Sequence, residues 1–77
     1  GFEAAEEVAK QGILNGDSYN GSTALDLFKL LFEKGRGFDA ARQAIQEGLN
    51  STGYRTKRNA QKLQKLFEEN KGKEKLE

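Results

Sequence analysis

The sequence has no cysteine, no histidine, no proline, no methionine and no tryptophan. Without Cys there is no disulfide and no thiolate zinc site, and without His both the commonest general base and the commonest metal ligand are gone. Nucleophilic triads then lack a base and a thiol, and a Ser or Thr alone would stand unactivated. Long hydrophobic runs are missing too: the longest, Leu30 to Phe32, is three residues, against the roughly 18 of a membrane span. The first residues carry Glu3, Glu6 and Glu7 in place of the basic start of a secretion signal. No membrane partner is expected on these grounds. The lack of Met puts the start codon elsewhere; Gly1 fits the residue a protease leaves on removing a tag, and Leu76-Glu77 fits a cloning scar. The source compartment stays open.

What is present suits one small domain. At 77 residues the chain has no room for a large enzyme, yet Ala, Val, Ile, Leu, Phe and Gly supply 34 of them, enough for one modest core. The expectation is a non-enzyme with no cofactor, no metal and no small-molecule substrate.

The chain repeats itself. Gly1-Phe2-Glu3-Ala4-Ala5 returns as Gly37-Phe38-Asp39-Ala40-Ala41, and at the same offset of 36 Gly12 matches Gly48, Ala24 matches Ala60, Leu27 matches Leu63 and Leu30 matches Leu66. Tyr19 and Tyr54 align only if one residue slips in the loop between helices. Residues 1–70 therefore read as a single helical domain made of two units, 1–36 and 37–70, followed by a charged tail over 71–77 with no apolar face, expected to fray.

Within each unit the apolar spacing is helical. Phe2, Ala5, Val8, Ala9 and Ile13 form one stripe and Phe38, Ala41, Ala44, Ile45 and Leu49 its counterpart. The second helices run from about Ser22 to Lys34 and from about Thr56 to Asn70. Gly12 and Gly48 fall near the ends of the first helices, and the Gly, Asn, Ser and Asp clusters at 15–22 and 50–53 are loop chemistry, with Asp17, Ser18, Ser22 or Ser51 available as caps. No stretch alternates with period two. The predicted fold is all-α: four antiparallel helices in two stacked helical hairpins, an α-solenoid-like repeat fragment. Its predicted core is Phe2, Val8, Ile13, Leu27, Leu31, Phe38, Ala41, Ile45, Leu63 and Phe67.

The units are not equal. Leu25, Phe28 and Phe32 of the first correspond to Gln61, Gln64 and Glu68 of the second. A helix apolar nearly all round needs cover on several sides, so the second helix is predicted interior and the fourth, with one apolar stripe, at an edge.

A helix pair of this length, with a polar loop before a second helix that begins basic and ends apolar, resembles the HEAT or armadillo-like class of helical repeat. The HEAT pattern places an Asp in the loop before a Val-Arg pair and then Ala and Leu positions. Here Asp17 precedes Ala24, Leu25 and Leu27 in one unit, and Lys57-Arg58 precede Ala60 and Leu63 in the other. The Val position is held by Asn20 or Thr56 and the first unit lacks the Arg, so the likeness rests on period and helix pair over about residues 2–70. The period is also near the roughly 34 of a tetratricopeptide repeat, whose Trp, Gly-Tyr and Pro landmarks are missing. A plain four-helix bundle formed by duplication is the other architecture the pattern allows. Membership of the repeat class implies a scaffold for protein-protein interaction, cut from a longer array.

Three constellations invite chemistry and two are set aside at once. Gly16 to Thr23 has the glycine spacing of a phosphate-binding loop but neither its Lys nor a preceding strand, and the acidic positions of a calcium loop are unfilled in it. Glu3, Glu6 and Glu7 cluster in the first turns of a helix, where acids complement the dipole and can pair with Lys10; they read as a solvated face. The third is charge. Residues 1–36 carry net −2 and residues 37–77 net +3, and between Gly48 and Phe67 there is no acid but there are Arg55, Lys57, Arg58, Lys62 and Lys65. With Tyr54 at its edge, this stripe is either an ordinary solvated face or a binding surface. As a surface it suits a protein or acidic peptide first and nucleic acid second, given a pI near 8.2. The apolar surface of the second helix around Leu25, Phe28 and Phe32 is the fallback site.

Overall fold

In a computed structural model, which describes residues 1–75, the chain is all-α and the described residues contain no strand. Four helices follow in order: α1 (Glu3–Leu14), α2 (Ser18–Glu33), α3 (Phe38–Leu49) and α4 (Tyr54–Asn70), with a 3-10 turn at Lys71–Lys73. Their boundaries follow from local chemistry. Glu3 and Glu6 place negative charge in the first turn of α1, and Gly16, at φ +74°, ends the chain's helical course after Asn15. The Asp17 carboxylate accepts the Tyr19 backbone N–H at 2.8 Å and the Asn20 side-chain amide at 3.2 Å. That cap starts α2 four residues before the expected Ser22, because Asp17 rather than Ser22 satisfies the first free N–H groups. α2 closes in a Schellman motif: Arg36 N–H donates to the Leu31 carbonyl and Gly35 N–H to that of Phe32, with Gly35 left-handed at φ +74°.

α1 pairs with α2 and α3 pairs with α4 as two helical hairpins; between the hairpins α1 lies on α3 and α2 on α4, with α1 also touching α4. One core joins all four helices. Its centre is aromatic: Phe32 stacks on Phe38 at 4.5 Å between ring centroids, and Phe67 meets both edge-on at 6.3 and 5.9 Å. Phe28 approaches Phe32 at 5.7 Å along the same helix. Each such pair contributes about 0.5–1.5 kcal/mol beyond the area it buries.

The duplication has a geometric counterpart. A Cβ on Gly12 would stand 2.7 Å from the Ala24 Cβ, and one on Gly48 would stand 2.5 Å from the Ala60 Cβ. Both pairs are the same position in the two hairpins, 36 residues apart, so each hairpin crosses its helices at a contact that only Gly fits.

The expected core is largely buried: Ile13, Leu31, Phe38, Ala41 and Leu63 are inside, and Leu27, Ile45 and Phe67 pack half-buried against them. Phe2 and Val8 are corrections, 37% and 64% exposed. Phe2 stands just ahead of α1, with the Arg36 guanidinium over its ring at 5.3 Å from the centroid, and Val8 lines an open groove between α1 and α2. The frayed tail is also corrected over its described part. Glu74 accepts both guanidinium nitrogens of Arg42, and Lys75 N–H donates to the Gly35 carbonyl at 3.3 Å. Leu76 and Glu77 lie outside the described residues.

Candidate interaction surface

Tyr54, Arg55, Lys57, Arg58, Lys62 and Lys65 are all exposed. Tyr54 and Arg55, expected in the loop before the last helix, belong to its first turn, since α4 begins two residues earlier than Thr56. At 100° per residue Tyr54, Arg58, Gln61 and Lys65 form one line along α4. Lys57 and Lys62 flank it, and Arg55 lies further round. The opposite line holds Thr56, Asn59, Ala60 and Leu63, all buried, and this inward anchoring is what turns the cations outward. Tyr54 is 73% exposed, and the Arg58 guanidinium donates to its phenol oxygen at 3.3 Å. Tyr54, Lys57, Arg58 and Gln61 border a shallow dip. Among the described residues no carboxylate pairs with any of the five cations.

The other candidates dissolve in the geometry. Phe28 and Phe32 are fully buried and Leu25 packs half-buried against the core, so the fallback apolar surface on α2 does not exist. The glycine-spaced stretch from Gly16 to Thr23 is mostly helix: Ser18 onward is the first turn and a half of α2. Among the described residues no group of three or more Asp or Glu is placed to hold a metal ion, and no helix is long and apolar enough to cross a membrane.

Two structural roles escape the sequence reading. Glu6, read as part of a solvated face, accepts the Gly37 backbone N–H at 2.9 Å and so ties α1 to the start of α3. Arg42, its equivalent 36 residues on, ties the segment after α4 through Glu74, and that contact holds the Glu74 carboxyl below its ordinary value, chiefly by the hydrogen bond it accepts. Asn59 is the second. It is buried in α4 and donates its side-chain amide to the carbonyls of Ile13 at 3.3 Å and Asp17 at 3.5 Å, which close the α1–α2 turn. Gly21 leaves the room, since a Cβ there would lie 2.4 Å from the Asn59 Oδ1. The available signal was an Asn on the same helical line as Ala60 and Leu63.

Compared with models of known protein families, with curated proteins and with solved structures, the chain matches none.

Proposed function

We propose that this chain is a non-catalytic protein-protein interaction scaffold, a piece of a longer helical repeat protein of the HEAT or armadillo-like kind, whose α4 face contacts a protein partner or an acidic peptide. The observation that carries the reading is the outward line of α4. Arg58 and Lys65 stand on it, Lys57 and Lys62 flank it and Arg55 lies further round, all five with no carboxylate pairing them among the described residues, and an exposed tyrosine shares the line. The layering of α1 on α3 and α2 on α4, and the Gly-Ala crossing repeated in both hairpins, support the repeat architecture. The absence of His and Cys supports the non-catalytic part.

A second reading uses the same stripe for nucleic acid. It draws on Tyr54 beside Arg58, because an exposed ring flanked by cations can stack a base and hold a phosphate. Titrating the chain with a Glu- and Leu-rich peptide and with single-stranded DNA over a range of salt separates the two. Phosphate contacts weaken linearly in log salt, with a slope near −0.7 per contact on single strands. Replacing Arg58, Lys62 and Lys65 together by Glu abolishes binding of either probe with the helical signal intact. Unchanged peptide and DNA binding after that replacement would remove the stripe as a site.

A further inference from the structure

The outward face of the first hairpin has a property that its helices alone do not explain. At several positions it matches the face of the second hairpin that the first hairpin covers, though not at Phe67, which meets Phe32 across the hairpins while its equivalent Leu31 is buried. Phe38, stacked on Phe32 of the first hairpin, Ala44 and Leu63 are buried, whereas their equivalents Phe2 and Val8 are exposed and Leu27 half-exposed. Leu30, equivalent to the half-buried Leu66, is 57% exposed. Val8, Gly12, Ala24 and Leu27 line an open groove of about 430 Å³ between α1 and α2.

The polar groups match as well. Lys10 of the first hairpin reaches across to the second, donating to Gln43 at 3.0 Å and pairing with Glu47 at 3.3 Å. The positions equivalent to Gln43 and Glu47 are Glu7 and Gln11. They present the same one-acid, one-amide pair, exposed and bonded only to each other among the described residues, with the Gln11 amide on the Glu7 carboxylate at 3.1 Å. The second hairpin offers no surface to fill this face from another copy, since Gln64 and Glu68 stand where the first has Phe28 and Phe32, and Lys57 where it has Gly21.

We infer that the exposed face of α1 and α2 docks one further helical hairpin of the first unit's kind, bringing a Phe pair at the places of Phe28 and Phe32 over the groove and a lysine at the place of Lys10 onto Glu7 and Gln11. This deepens the scaffold reading by assigning the direction of growth: units add on the α1–α2 side, and the polar α3–α4 side closes the stack. Terminal units with a polar outer face serve that role in repeat proteins.

The test places a second copy of residues 1–36 ahead of the full chain, a fusion that rebuilds the Arg36-Gly37 junction as Arg36-Gly1. Docking gives one urea transition with a raised midpoint and an m-value larger by about half, in proportion to the surface of three hairpins over two. Val8→Lys with Leu30→Glu in the middle unit removes that gain, while the same pair leaves the midpoint of the 77-residue chain unchanged. Lys10→Glu in the added copy lowers the tandem's midpoint, and Glu7→Lys in the middle unit restores it. An added copy that exchanges its amides like unfolded chain, a separate second transition, or an aggregated tandem overturns the inference. So does a Val8 and Leu30 double variant that destabilises the short chain as much as the tandem. Peptide binding by the α4 stripe, measured on the same molecules, rises or falls independently, so failure of docking and failure of the scaffold reading are told apart.

Discussion

The two hairpins share a pattern and differ in what they show to the outside. Inside each hairpin and at its end equivalent residues are interchangeable in role: Gly12 and Gly48 cross against Ala24 and Ala60, and Glu6 and Arg42 each pin the segment after their own second helix. On the outward faces the correspondence breaks. The first hairpin exposes Val8 and Leu30, and the second exposes Gln64 and Glu68. One repeat pattern thus serves two environments, and position within the stack decides which side chains are core.

Phe38→Ala separates the two hairpins most. It removes a ring stacked on Phe32 and touching Phe67, and costs about 3–5 kcal/mol by chemical denaturation, whereas Phe2→Ala at the equivalent place stays below about 1 kcal/mol. Asn59→Ala comes next. It removes the Asn59 amide from the Ile13 carbonyl and from the Asp17 carbonyl, which keeps the Gly21 N–H at 2.8 Å, and is expected to cost about 1–3 kcal/mol, with faster amide exchange in the α1–α2 turn as its signature. Gly48→Ala and Gly12→Ala probe the same crossing in the two hairpins. The clash with Ala60 costs about 1–3 kcal/mol, offset by about 1 kcal/mol of helix propensity, and Gly12→Ala shows the same sign. An increase in stability at either site would show that the hairpin crossing is looser than its geometry states.

The smallest effect is electrostatic. Because Arg42 lowers the Glu74 pKa, the bridge stabilises the fold above the ordinary carboxylate pKa of about 4.3 and is lost as pH falls through the lowered value. Titrating the Glu74 carboxyl carbon by NMR reads this directly. Arg42→Ala returns its midpoint to the ordinary range and speeds exchange at the Lys75 amide, whose acceptor is the Gly35 carbonyl.

Much of the architecture was legible because it repeats. The 36-residue offset and the apolar stripes gave four helices in two hairpins, and the covered state of Phe28 and Phe32 followed from a helix apolar nearly all round. Phe2 and Val8 were misplaced for a physical reason: periodicity says which face is apolar but not whether a neighbour covers it. Gly21 looked like loop chemistry and is helix, because its missing side chain serves Asn59 across the hairpin interface rather than a turn. Arg42 and Glu74 are 32 residues apart and leave no local trace. The basic stripe on α4 was readable since both its charges and the buried line opposite it lie within one helix, although the start of that helix was set two residues late.

Hydroxyl-radical footprinting with mass spectrometry measures side-chain exposure and so addresses the contrast between equivalent positions most directly. Phe2, Val8, Leu30 and Tyr54 are expected to label readily, while Phe28, Phe32, Phe38 and Leu63 stay protected until the chain unfolds. Labelling of Phe38 to the same extent as Phe2, or protection of Val8 and Leu30 in the 77-residue monomer, would contradict the assignment of one covered and one open copy of the same face.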